Sequence, residues 1–263
     1  MPSPSGFSVA PGSQAEQVGR LIIALVLVLW VPSLPGGNYV MYPFVILTTW
    51  FHEMGHGLAA MLMGQQFSQL IILPNGSGLA EVYLDRDAGR LTLAVFAAGG
   101  PLAPVLVGAG LIVASAHPRA WRPVLWGLAA AIMVSVLLYV RSPVGIAVLP
   151  LVAAGLGLIA WKAPDGLTRF ALQFLGMLGA LSMVADFDYL FSEEAVIAGQ
   201  VLASDTGAIE DALFLPHWVW ASLILVTSIV TVGASLKYAL SDERRKLPPP
   251  KPPANVLQFK RKP

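Results

Sequence analysis

His52, Glu53 and His56 stand in the pattern His-Glu-x-x-His, inside the apolar run "TTWFHEMGHGLAAMLMG" from Thr48 to Gly64. Residues four apart on a helix share a face, so both imidazoles can reach one cation. Glu53, next in sequence to His52, can point at a metal-bound water instead of ligating. Zinc brings the pKa of such a water to about 7, and a carboxylate beside it serves as general base. Ionisable side chains in the middle of an apolar segment are costly, and a purely structural role would leave these three uncompensated. The pattern therefore points to a hydrolytic metal site.

Two histidines and a water leave a tetrahedral site short of one protein ligand. The chain has no cysteine, which excludes disulfides and thiolate ligands and leaves His, Asp or Glu. His117 precedes "PRAWRP" and His217 follows Pro216, so both read as interfacial residues at segment ends. Asp186 and Asp188 lie late in an apolar segment, in "GALSMVADFDYLF", with no basic residue nearby. On a helix they point about 200° apart, so one of them faces the site. Asp186 is preferred because it is deeper, while Asp188 reads as a solvated helix end. The depths conflict: Asp186 is about 27 Å along a segment starting near Thr168, close to the far side of a roughly 30 Å core. His52 lies midway along its own segment. The two match only if that helix is tilted, starts outside the core or unwinds near "ADFD".

The elements that must hold these residues are membrane helices. Of 263 residues, 56% are hydrophobic and 12% charged, about half the charged fraction of a soluble domain. Seven apolar segments are read at about 18–33, 39–63, 91–116, 123–140, 143–161, 168–191 and 216–239, near the ~20 residues a crossing needs. The first is short and closed by "PSLPGG", so six or seven crossings are expected. After the metal-motif segment, "SQLIIL" and "GLAEVYL" flank "PNGSG" and read as a β-hairpin. The fold class is thus an all-α polytopic membrane protein with one short hairpin. Residues 1–18 read as a flexible tail without a signal peptide, 19–240 as the membrane domain and 241–263 as a basic, proline-rich tail.

Seven of the sixteen Lys and Arg residues lie between Arg244 and Lys262, which places the C-terminal tail in the cytoplasm. The acidic stretch Ser192 to Leu215 has no Lys or Arg and suits the opposite face. The net charge of +1 gives no footing for nucleic acid. Gly99-Gly100-Pro101, in the third segment, reads either as a helix break admitting water or substrate, or as a packing kink. The hairpin offers an edge strand to an unwound peptide, or simply a cover over the site.

"FHEMGHGLAAMLMG", the "LPNGSGLAEV" hairpin and "AAGGPLAPVLVGAGLI" together resemble the site-2-protease-like intramembrane zinc metallopeptidases, in their smaller B-type branch of bacteria and plants. The resemblance covers roughly residues 45 to 240 and is most specific in its first third. It implies zinc held by two His and a distant Asp, with the Glu as base, which carries over onto His52, His56 and Glu53. Asp186 carries over less directly, because the Asn-Pro-x-x-x-x-Asp-Gly signature of larger members is absent. "ASDTGAIEDA" resembles a Ser-Asp stretch of the B-type branch and makes Asp205 a third candidate. A bacterial cell membrane is the location implied.

The expected function is an intramembrane zinc metalloprotease acting on membrane-protein substrates in the lipid bilayer, with oligomeric state open. A non-proteolytic scaffold or metal-binding regulator of the same fold is the alternative. An ion or proton transporter is a third, weakened by the lack of an internal repeat.

Overall fold

The computed structural model describes residues 14–197 and 199–246. Seven long helices carry the fold: α1 (Gln14–Trp30), α2 (Gly37–Leu62), α3 (Arg90–Ser115), α4 (Trp121–Leu138), α5 (Pro143–Lys162), α6 (Asp165–Ala185) and α9 (His217–Lys246). Each matches one apolar segment of the sequence. The short helices α7 (Phe187–Leu190) and α8 (Asp205–Ala212) lie between α6 and α9. Most of both expected tails lies outside the described residues, although α1 already starts at Gln14 and α9 runs on to Lys246.

Among the described residues, six stretches are long and apolar enough to cross a membrane, and they coincide with α1, α3, α4, α5, α6 and α9. The metal-motif helix α2 is not among them, because His52, Glu53 and His56 lower its hydropathy. It is nevertheless the most enclosed around the motif, with Trp50, Phe51, Glu53, Gly55 and His56 all buried. Small residues bring α3 against it. A Cβ on Gly55 would stand 2.3 Å from the carbonyl oxygen of Gly99, and one on Gly99 would stand 2.6 Å from that of Gly55. Of the two readings of Gly99-Gly100-Pro101, the helix break is not found: α3 is one continuous helix, and these glycines serve close backbone approach.

The expected hairpin is present as β1 (Gln66–Ile72) and β2 (Gly78–Tyr83), with a register shift between Phe67 and Gln69. It is stapled to the turn between α4 and α5. Leu70 donates its N–H to the Tyr139 carbonyl and accepts from the Arg141 N–H, both at 2.9 Å, and Ser142 Oγ accepts from the Ile72 N–H. Since backbone groups alternate in direction along a strand, Gly78 and Ala80, paired with Ile72 and Leu70, turn theirs away from β1. The free edge of β2 therefore faces α2. A second hairpin, β3 (Glu194–Ile197) with β4 (Gln200–Ala203), stands where only an acidic loop was expected.

One end of the bundle carries Arg122 and Arg169. Arg122 at the start of α4 donates to the carbonyls of Ala160 and Ala163 at the end of α5 and pairs with Asp165 at 3.0 Å, capping one helix and joining the next. Arg169 donates to the fully buried Gln17, whose amide reaches the Ala239 carbonyl, so α1, α6 and α9 are tied at the same end.

Candidate metal centre

One helix face presents the metal motif. The His52 and His56 rings stand 4.8 Å apart, with their Nε2 atoms 3.1 Å from each other. His56 Nδ1 lies 2.8 Å from the Phe96 carbonyl on α3. A carbonyl only accepts, so Nδ1 carries the proton and Nε2 keeps its lone pair for a cation.

The third group comes from far along the chain. Asp205 Oδ2 lies 3.0 Å from His52 Nε2, and Oδ1 lies 3.2 Å from His56 Nε2. Ligand atoms of His52, His56 and Asp205 all fall within 4.8 Å of one another, the one such group among the described residues. Asp205 Oδ2 is buried without a satisfying hydrogen bond. A tetrahedral zinc with bonds of about 2.0–2.1 Å separates its ligand atoms by about 3.3 Å, close to the spacings seen here. The wall opposite is kept clear: a Cβ on Gly100 would stand 2.2 Å from His56 Nε2 and 2.6 Å from His52 Nε2. Donor types, spacing, the orphaned oxygen and the glycine cradle all fit zinc.

A capped and clamped turn delivers Asp205. Ser204 is the N-cap of α8, its Oγ accepting from the Gly207 N–H at 3.0 Å. That hydroxyl donates to the Ser192 carbonyl, and the Thr206 hydroxyl donates to the Leu190 carbonyl at 2.7 Å. Both side chains are fully buried. A Cβ on Gly207 would meet the Glu193 carbonyl oxygen at 2.2 Å. Asp205 is thus the first helical residue of a turn clamped on both sides.

Asp186, the aspartate preferred from the sequence, is not brought into this cluster. It ends α6 and begins α7, so the helix does unwind within "ADFD". Its side chain lines a cavity of about 10 Å³ with His52, Ser182 and Tyr189, room for about one water. Asp188 is exposed on α7. Of the three aspartates weighed, the geometry favours Asp205. The sequence signal was its Ser cap, Ser204-Asp205-Thr206-Gly207, which marks a helix start at a position that hydropathy reads as loop. His117 and His217 stand apart, against Tyr238 and Glu210 respectively.

Glu53 is buried beside the motif. Its carboxylate packs on β2, where a Cβ at Gly78 would meet Oε1 at 2.5 Å, and the Ala80 backbone hydrogen-bonds to it. Along the same strand opens a cleft of about 370 Å³, lined by Ser68, Ala80, Glu81, Val82, Tyr83 and Phe96. Phe96 joins the two sites, since its carbonyl holds His56.

A family model described as Peptidase M50B-like matches residues 19–235, a span that includes every residue of this cluster. No curated protein and no solved structure matches the chain.

Proposed function

This chain belongs to the Peptidase M50B-like family, and from that premise we propose that it is an intramembrane zinc metalloprotease. Its substrates are membrane proteins, cut in or beside a transmembrane segment. The observation that carries the reading is the convergence of His52, His56 and Asp205, with Glu53 buried beside them.

His52 and His56 would hold zinc through Nε2 and Asp205 through one carboxylate oxygen. Zinc supplies Lewis acidity, lowering the pKa of a bound water to about 7. Glu53 would act as the general base, taking a proton at its carboxylate and passing it to the leaving amine. The Ala80 contact aims the carboxylate. An unwound substrate segment would lie along β2, with its side chains in the cleft beside the strand. α2 and α3 close the site to lipid.

Glu53→Gln is the decisive test, because Gln is nearly isosteric and cannot take the proton. Zinc content should stay stoichiometric, while cleavage of a membrane-anchored reporter falls by about 10²- to 10⁴-fold. Cleavage at the wild-type rate would exclude Glu53 as base. Zinc binding without cleavage in either protein would favour the scaffold reading.

We place the end bearing Arg122, Arg169 and the last turns of α9 in the cytoplasm. α1 begins at this end, and Phe44 early in α2 meets Phe174 early in α6, so α2 starts there too. α1 then enters and leaves on one face without crossing, and α2 is the sixth crossing helix. Ser33→Cys and Ser241→Cys should label from the cytoplasm, and Asp87→Cys from the other side. Labelling of positions 33 and 87 from one face would overturn this topology.

A further inference from the structure

We propose that Tyr189 is a positioning residue of the metal centre, its phenol holding the Asp205 oxygen that does not ligate. The inference rests on the reading of His52, His56 and Asp205 as the ligand set.

Tyr189 sits on the single turn of α7, where α6 has ended at Asp186. Tyr189 and Asp205 both face His52, the Tyr189 ring edge-on and Asp205 Oδ2 at 3.0 Å, which sets the phenol beside the carboxylate. The Tyr189 and His52 ring centroids are 6.3 Å apart, and Tyr189 shares the water-sized cavity with His52 and Asp186. The Thr206 hydroxyl on the Leu190 carbonyl binds α7 to α8 and so fixes Tyr189 relative to Asp205.

The chemistry of the carboxylate demands such a donor. An ionised carboxylate only accepts, and a ligand using one oxygen leaves the other with unmet lone pairs in a buried site. Asp205 is only 8% exposed, so the oxygen that does not ligate is shut off from bulk water. The imidazoles that face it supply no proton once their Nε2 lone pairs bind metal, and His56 Nδ1–H is engaged by Phe96. The adjacent hydroxyls of Ser204 and Thr206 commit their protons to carbonyls. Asp186, when ionised, is another acceptor. Tyr189 is the neutral donor that approaches Asp205. Hydrogen bonding to a ligating carboxylate orients it and raises metal affinity.

Zinc affinity of the detergent-purified full-length chain, measured by competition with a chelating dye, tests this in four proteins. Tyr189→Phe keeps the ring against His52 and removes only the hydroxyl. It should raise the zinc Kd by about 10- to 100-fold, the usual cost of losing a partner of a ligand. It should also shift the visible bands of the cobalt-substituted protein. Tyr189→Leu should weaken binding no further. Asp205→Ala should weaken it more than either. An unchanged Kd in Asp205→Ala would refute the ligand set itself. A weakened Asp205→Ala with an unchanged Tyr189→Phe would refute the role of Tyr189 alone. Weakening in Tyr189→Leu but not Tyr189→Phe would assign the effect to ring packing and overturn the proposal. So would a loss of cleavage in Tyr189→Phe with wild-type Kd and cobalt spectrum, because the phenol would then act on substrate.

Discussion

Helix α2 and the stretch from Asp186 to Ala212 each bring candidate metal ligands to one point, by opposite means. In α2 the helical repeat alone sets His52 and His56 on one face, and α3 then clears the space around them and holds the His56 ring through the Phe96 carbonyl. In the second stretch nothing local aims Asp205. Its position depends on the break of α6 at Asp186, the β3–β4 excursion, the Ser204 cap and the clamp of Thr206 on Leu190. The lesson is one of fragility. A site half written by periodicity and half by packing should tolerate remote changes on one side and not on the other.

Direct removal of ligands should give the largest effects and treat both halves alike. His56→Ala should abolish stoichiometric zinc. Asp205→Ala should weaken binding beyond the roughly 100-fold upper range of outer-shell losses. Asp186→Ala should bind zinc nearly as the wild type does. If metal analysis ranks Asp186 above Asp205, the second stretch does not deliver the ligand and the comparison collapses.

A remote change should then separate the halves. Gly207→Ala puts a Cβ 2.2 Å from the Glu193 carbonyl oxygen and must shift the start of α8. Zinc affinity should fall by about 10-fold, as for the loss of a ligand's support. Gly110→Ala meets nothing within 4 Å on the adjoining helix α3 and should leave zinc unchanged. Equal affinities in the two variants would show that Asp205 is more tolerant than its clamp implies.

Smaller again is the cap itself. Ser204→Ala removes the acceptor for Gly207 N–H and the donor to Ser192, with an expected loss of about 1 kcal/mol of stability. Thermal unfolding in detergent reads it, and an unchanged midpoint would remove Ser204 from the delivery of Asp205.

The smallest effect lies at the far end of the same stretch. The backbone N–H and imidazole of His217 hold the Glu210 carboxyl below its usual range. A depressed carboxylate contributes stability above its unfolded pKa, about 4.3, and loses it as pH falls through the lower folded value. The thermal midpoint should therefore decline below about pH 4.3, and Glu210→Gln should flatten that decline slightly. The pair is partly exposed, so solvent screening keeps the effect modest. A steeper acid decline in Glu210→Gln than in the wild type would contradict the assigned sign.

Much of this protein is fixed by local rules that a reader of the sequence can apply. Hydropathy placed all seven long helices, although the first segment is short and the motif lowers the hydropathy of α2. "PNGSG" placed the first hairpin, because Gly76 takes a positive φ of 92° that side chains resist. The four-residue spacing of His52 and His56 set two candidate ligand positions before any neighbour was known, and Glu53 came with them. The third candidate was decided by tertiary structure. Asp186, Asp188 and Asp205 are alike as residues, and the depth of a carboxylate in an apolar segment does not say what it faces. Only the break of α6, followed by a hairpin and a clamped turn, returns the chain so that Asp205 stands 3.0 Å from His52 and 3.2 Å from His56. The same holds for Gly100, whose missing side chain matters only because α3 packs across the motif, and for Tyr189, whose hydroxyl gains meaning only from the carboxylate it approaches. Such contacts join residues far apart in the chain, and local periodicity carries no record of them.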